Sequence, residues 1–256
     1  MTSRPVAIVT GAGRGIGRAI AEALAARRFD LVVTDLVPQA EGEVLLQDLA
    51  GRGCRAFYQS GDIADLASHP PLVARTLAEF GRIDCLVNNA GMAALVRGDL
   101  LDLAPENFDR ITAVNLRGTV FLTQAVVRAM LAQPPADAPR SIVTITSVSA
   151  ELASPERIDY CMSKAALAMW VRGLALRLGP EGIGVFDVRP GIVRTAMTAK
   201  VAATYDERIA AGLVPARRWG DAGDVATVVA NLACGDFAFA TGSVIAVDGG
   251  LSIPRL

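Results

Sequence analysis

The run Val6-Ala7-Ile8-Val9 leads straight into Thr10-Gly11-Ala12-Gly13-Arg14-Gly15-Ile16-Gly17 and then into Arg18-Ala19-Ile20-Ala21-Glu22-Ala23-Leu24-Ala25, and nothing else in the chain limits its fold so tightly. An unbroken set of small and β-branched residues predicts a strand buried on both faces, and the Ala/Leu/Ile-rich segment after it predicts a helix. Glycines lie between the two. Without Cβ atoms they permit a sharp turn and let bare backbone approach a ligand, while the first helix amides and the positive end of the helix dipole point at the same place. That combination suits a diphosphate. The spacing is Thr10-Gly11-x-x-x-Gly15-x-Gly17 rather than G-x-G-x-x-G, with Ile16 where a third glycine would fall.

Downstream, short apolar strands alternate with longer helical segments. Leu31 to Asp35 predicts a second strand, Glu41 to Arg52 a helix, Cys54 to Tyr58 a strand, Pro71 to Phe80 a helix, and Ile83 to Val87 a strand closed by Asn88-Asn89-Ala90-Gly91. A long helix is expected from Pro105 through Asn115 to Leu131, then a Pro/Ala-rich loop from Gln133 to Pro139 and a strand from Ser141 to Thr146 running into Ser147. Asp159 to Leu178 reads as a helix and Val185 to Val188 as a strand entering Arg189-Pro190-Gly191. A polar stretch runs to Trp219, and Ala222 to Leu232 and Ser243 to Val247 form the last helix and strand. Such alternation implies βαβ units with right-handed crossovers: an α/β fold, a Rossmann-type doubly wound parallel sheet with helices on both faces. Ligands bind beyond the carboxyl ends of such strands, and here those ends are small or polar: Gly11, Asp35, Asp62, Asn88. Asp35 lies roughly 20 residues past the glycine turn, where a carboxylate can accept hydrogen bonds from an adenosine ribose.

At 256 residues, with no linker or shift in composition, a single domain over 1–256 is the expectation. Hydrophobic residues make up 52% and charged residues 20%, which excludes a disordered chain. The net charge of -1 and the scatter of Lys and Arg argue against nucleic acid as a partner. No apolar run approaches the roughly 18 residues of a membrane span. Met1-Thr2-Ser3-Arg4-Pro5 has no signal-peptide character. Cys54, Cys85, Cys161 and Cys234 are far apart and form no C-x-x-C pair, which suggests reduced thiols in a cytoplasmic protein. The one histidine, His69, is expected in a solvated turn, so a Ser-His-Asp hydrolase and His/Cys metal sites are excluded.

Tyr160 and Lys164 stand four residues apart, so on a helix they share a face. A free tyrosine titrates near pH 10, and acting as a base near neutrality asks for a shift costing roughly 3 kcal/mol. An ammonium ~5 Å away at an effective dielectric of ~20 supplies about that amount. Ser147, at the end of a strand, can bond the same substrate oxygen. Without other motifs the pair would read as an amphipathic helix position with a snorkelling lysine.

Taken with the glycine turn, Asn88-Asn89-Ala90-Gly91, Asn115, Ser147 and Pro190-Gly191, the segment Tyr160-Cys161-Met162-Ser163-Lys164 resembles the short-chain dehydrogenase/reductase family over nearly the whole chain. The resemblance implies Tyr160 as general acid/base, Lys164 also on the nicotinamide ribose, Ser147 as orienter of the substrate oxygen, and Asn115 in a water-linked proton relay. It places Thr10, Gly11, Arg14, Gly15, Ile16 and Gly17 at the diphosphate, Asp35 at the ribose, Asp62 and Ile63 at the adenine, and Asn89, Ala90 and Gly91 beside the adenosine. Pro190, Gly191, Ile192, Val193 and Thr195 fall at the nicotinamide. Cys161 and Met162 are expected to pack in the core. Asp35 favours NAD over NADP, since a carboxylate ~4 Å from a 2'-phosphate repels it by several kcal/mol; Arg14 pulls the other way.

Substrate-lining residues are expected after Gly91, across Ser149 to Ser154, around Glu156-Arg157, and in the loop from Ile192 to Trp219, which carries Met197, Lys200, Tyr205, Arg208, Arg217 and Arg218. The leading expectation is an NAD-dependent oxidoreductase interconverting a small secondary alcohol, such as a sugar or polyol, and its ketone. A 3-oxoacyl thioester (acyl carrier protein) reductase is the alternative enzyme, and a non-catalytic NAD-binding sensor or scaffold the alternative of another class. The resemblance also implies a homotetramer or homodimer built on the long helices and the segment Val247 to Leu256.

Overall fold

The computed structural model describes residues 4–134 and 138–255, so Met1 to Ser3, part of the Gln133 to Pro139 loop, and Leu256 lie outside the described residues. The chain order is β1 Val6–Thr10, α1 Gly15–Ala26, β2 Asp30–Asp35, α2 Gln39–Gly51, β3 Ala56–Ser60, α3 His69–Phe80, β4 Cys85–Asn88, α4 Pro105–Thr112, α5 Thr119–Ala132, β5 Arg140–Ile145, α6 Ile158–Leu178, β6 Ile183–Pro190, α7 Ala202–Ala210, α8 Ala222–Ala233 and β7 Val244–Val247. The strands form one parallel sheet in the order β3-β2-β1-β4-β5-β6-β7.

β1 shows why its sequence is apolar at every position. Ala7 and Val9 face a core filled by Ile20, Leu24, Leu45, Leu49 and Val229 from α1, α2 and α8. Val6 and Ile8 face the opposite core, filled by Leu72, Leu122, Val126 and Val171 from α3, α5 and α6. The order reverses between β1 and β4, the neighbouring strands between which the crossovers change direction, and the crevice outside their carboxyl ends is where such sheets bind ligands.

Four expectations are corrected. The helix from Pro105 to Leu131 is interrupted by a π-helical segment, Ala113–Gly118, between α4 and α5. Its cause lies in contacts with distant residues: Asn115 is tied to the Met92 backbone, and Gly118 presses on the Ile63 carbonyl where a Cβ would collide. His69 is no solvated loop residue. It opens α3, is 4% exposed, and its Nε2 donates to the Ile63 carbonyl at 2.9 Å. Burial, the largest influence, holds its pKa below the usual histidine value. The stretch from Ile192 to Trp219 contains a 3-10 turn, Ala196–Val201, and α7, whose Tyr205 packs edge-on against Trp219 with ring centroids 5.8 Å apart. Met162 is also misjudged: it is half exposed, whereas Cys161 is buried as expected.

Candidate active site

The end of β1 and the end of β4 are laced together. Thr10 Oγ accepts from the amides of Asn89 (3.0 Å) and Ala90 (2.9 Å), and Asn89 Nδ2 donates to the carbonyls of Thr10 (2.9 Å) and Gly11 (3.0 Å). Gly11 turns at φ +65°, and a Cβ there would lie 2.9 Å from Ala90 Cα, so the turn tolerates no side chain. α1 then starts at Gly15 with no side chain capping it and no acidic residue in its first turn. Its amides open into the cleft, a fit for an anion such as the diphosphate of a dinucleotide.

Asp35, at the end of β2, accepts from the amide of Gly13 (2.8 Å) through Oδ2 and from that of Leu36 (2.7 Å) through Oδ1. Each oxygen keeps a lone pair for a ribose hydroxyl. Farther along the same wall, Asp62 pairs with Arg110 at 2.9 Å, and Ile63 lines the cleft beside it. On the other side, Gly191 donates to Val247 (3.0 Å), and Gly220 donates to the Ile192 carbonyl (2.9 Å). Val193 is buried, and Thr195 stands over Gly15, 3.6 Å from where a Cβ on that residue would sit.

At the far end of this continuous cleft, of about 990 Å³, are Ser147, Tyr160 and Lys164. α6 carries Tyr160 and Lys164 one turn apart, with Lys164 Nζ 5.8 Å from the Tyr160 ring centroid. Lys164 Nζ donates to the Ile145 carbonyl at 3.0 Å. The Ser147 hydroxyl accepts from the Ser149 amide at 3.0 Å, which orients it at the strand exit. Asn115 Oδ1 accepts from Met92 N (2.8 Å), and its Nδ2 donates to Met92 O (3.0 Å) and Ser163 Oγ (3.1 Å). A Cβ on Gly91 would approach both Asn115 Oδ1 (3.2 Å) and Lys164 Nζ (3.6 Å), so these three residues converge.

The electrostatics differ from the sequence expectation that Lys164 by itself acidifies Tyr160. Burial is the largest influence on Tyr160 and raises its pKa, opposed by the Ser147 hydroxyl and the charge of Arg157. Burial also lowers Lys164 to about 8, against the opposing charge of Asp187. Lys164 is buried and Tyr160 is partly buried in the cleft wall, and each resists charging.

Two further features carried no motif. Arg157 places its guanidinium 5.2 Å from the Tyr160 ring centroid. A chain of polar contacts runs from buried Thr146, Asp187 and Arg189 out to the exposed Glu151, bracketing the segment that bears Ser147. The available signal was the i, i+2 pair Asp187 and Arg189, two charges on one face of an otherwise apolar strand.

A family model described as Enoyl-(Acyl carrier protein) reductase matches residues 11–252, which takes in both the glycine turn and the Tyr160–Lys164 helix. The chain belongs to the short-chain dehydrogenase/reductase family. As a short-chain dehydrogenase/reductase it is an oxidoreductase. It is 36% identical over 250 residues to 3-oxoacyl-[acyl-carrier-protein] reductase FabG of Escherichia coli, covering 96% of each chain. It is 35% identical over 256 residues to versicolorin reductase 1 of Aspergillus parasiticus, covering 96% of this chain and 95% of the relative. Among solved structures, 3-oxoacyl-[acyl-carrier protein] reductase from Brucella melitensis in complex with NAD is 59% identical, with a TM-score of 0.97 and full coverage of both chains. No helix of the described residues is long and apolar enough to cross a membrane, and among those residues no group of His, Cys, Asp and Glu could hold a metal ion.

Proposed function

We propose that this short-chain dehydrogenase/reductase interconverts a secondary alcohol and its ketone with NAD(H), with residues 1–256 acting as one domain that holds cofactor and substrate together. The observation that carries the reading is one cleft joining the uncapped start of α1 and Asp35 to the Ser147, Tyr160 and Lys164 cluster. Thr10, Gly11, Arg14, Gly15, Ile16 and Gly17 would hold the diphosphate and Asp35 the ribose. Asp62, Ile63, Asn89, Ala90 and Gly91 would flank the adenosine, and Pro190, Gly191, Ile192, Val193 and Thr195 the nicotinamide.

NAD, when bound, supplies the acceptor or donor of the hydride. Everything else is the work of the chain. Ser147 bonds the substrate oxygen and holds it at Tyr160. In reduction the phenol gives its proton to that oxygen; in oxidation its phenolate takes the hydroxyl proton. The charges of Lys164 and Arg157 offset part of the cost of the phenolate. Asn115 and Lys164 converge on Gly91, which supports a water-linked relay there. Asp35 supports NAD over NADP, as does the NAD complex of the Brucella protein.

A 3-oxoacyl thioester reductase is the second reading, favoured by the printed names of the Brucella and Escherichia coli relatives. A homo-oligomer is supported by exposed Met162, Met169 and Leu176, spaced seven apart on α6. Four free cysteines, three of them buried, suit a cytoplasmic protein. The test is a panel of secondary alcohols and ketones with NAD(H) and NADP(H), followed by nicotinamide absorbance. Turnover with NAD establishes the reading; tight NAD binding without turnover of any compound would replace it with a sensor or scaffold.

A further inference from the structure

We infer that the substrate carries a carboxylate close to its reacting carbon, and that Arg157 binds it; this rests on the oxidoreductase reading above. The two halves of the cleft differ in charge. Its adenosine half is balanced, Arg14 and Arg110 against Asp35 and Asp62, with Asp62 paired to Arg110. Its reactive half is lined by Arg97, Arg157 and Arg208 against a single carboxylate, Glu156. Among the described residues, none of those three guanidiniums lies within ion-pair distance of an acid, whereas Arg18, Arg189 and Arg218 each have one.

Arg157 is the residue placed to act on a substrate. It ends the 3-10 turn Pro155–Arg157 directly before α6, is half-buried, and sits over the Tyr160 ring at 5.2 Å. An arginine at such a site stays charged, and its planar fork matches a carboxylate in two parallel hydrogen bonds. Lys164 is the second cation beside that ring, at 5.8 Å. The acid nearest to Lys164 in effect, Asp187, is itself paired with Arg189. Two positive groups therefore flank the phenol, and an anionic substrate supplies the missing negative charge.

Arg157 lines the same cleft as Ser147 and Tyr160, so a substrate whose oxygen is held between those two keeps its remaining carbons in a space that the guanidinium also faces. A hydroxyl of a neutral polyol would meet the donors without meeting the charge. The predicted class is a small hydroxy acid and the corresponding oxo acid.

The experiment compares matched pairs with NAD: an aldonate against the alditol of the same chain length, and a 3-hydroxy acid against its methyl ester. The acid of a pair is expected to have a kcat/KM at least about tenfold higher, as one well-made charge-assisted contact implies. Arg157→Gln is expected to shrink that ratio towards one through KM, and Arg157→Lys to restore part of it. Neutral members turned over as well as their acids, or a ratio unmoved in Arg157→Gln, would overturn the inference and leave the oxidoreductase reading standing. A phosphate monoester outperforming the matched acid would overturn the choice of carboxylate. No turnover of any member while other compounds of the alcohol and ketone panel are turned over would overturn this inference alone; no turnover of any compound in that panel would remove the proposed function with it.

Discussion

Tyr160 shows how a residue can be recognised while its energetics are misjudged. Its spacing from Lys164 is plain in the sequence; its desolvation is not, because burial depends on what the rest of the chain packs around it. Since burial keeps the phenol protonated, the free protein at neutral pH holds a proton donor, the form needed for ketone reduction. Alcohol oxidation should rise with pH. Reduction should fall as pH passes about 8, where Lys164 loses its proton, and this break should vanish in Lys164→Met; kcat/KM profiles in both directions check it. Tyr160→Phe should lower kcat by about 10²- to 10⁴-fold, the usual share of a general acid, with NAD affinity by calorimetry almost unchanged. At the other end of the cleft, Asp35→Ala should cut the NAD-to-NADP ratio of kcat/KM by about 100-fold, the effect of removing a few kcal/mol of repulsion. An unchanged ratio would show that Asp35 does not face the 2' position.

Among the elements, the π segment between α4 and α5 is the instructive case. Periodicity over Pro105 to Leu131 is continuous enough to read as one helix, and the extra residue in the turn leaves no trace in the apolar pattern. Its causes are contacts with distant residues: Asn115 with Met92 and Ser163, Gly118 with Ile63. Gly118→Ala should therefore destabilise the protein by about 1–3 kcal/mol, the cost of overpacking against backbone, lowering Tm in thermal unfolding. The same substitution at Gly173, where a Cβ would meet nothing within 4 Å, should be neutral or stabilising.

For the molecule as a whole, a stripe of methionine and leucine on α6 and the fully exposed Phe239 near the last strand leave apolar surface uncovered. Such faces mark association. Light scattering should find a dimer or tetramer, and Met169→Lys should shift it towards smaller species; a wild-type monomer at micromolar concentration would remove the proposal. The parallel sheet, its layering and the position of the cleft were legible in the sequence because apolar runs, glycines and strand-end polar residues are local signals that repeat along the chain, whereas the strand order came only with the structure. The glycine turn and the Tyr160–Lys164 pair were legible for the same reason, since each is a short motif of neighbouring residues. The sequence by itself thus determined the α/β sheet and which side chains meet at its carboxyl edge. Only the tertiary structure decided the burial of His69, the π turn at Asn115 and the charge chain from Thr146 through Arg189 to Glu151, because each depends on contacts between groups that the chain keeps far apart until the sheet assembles.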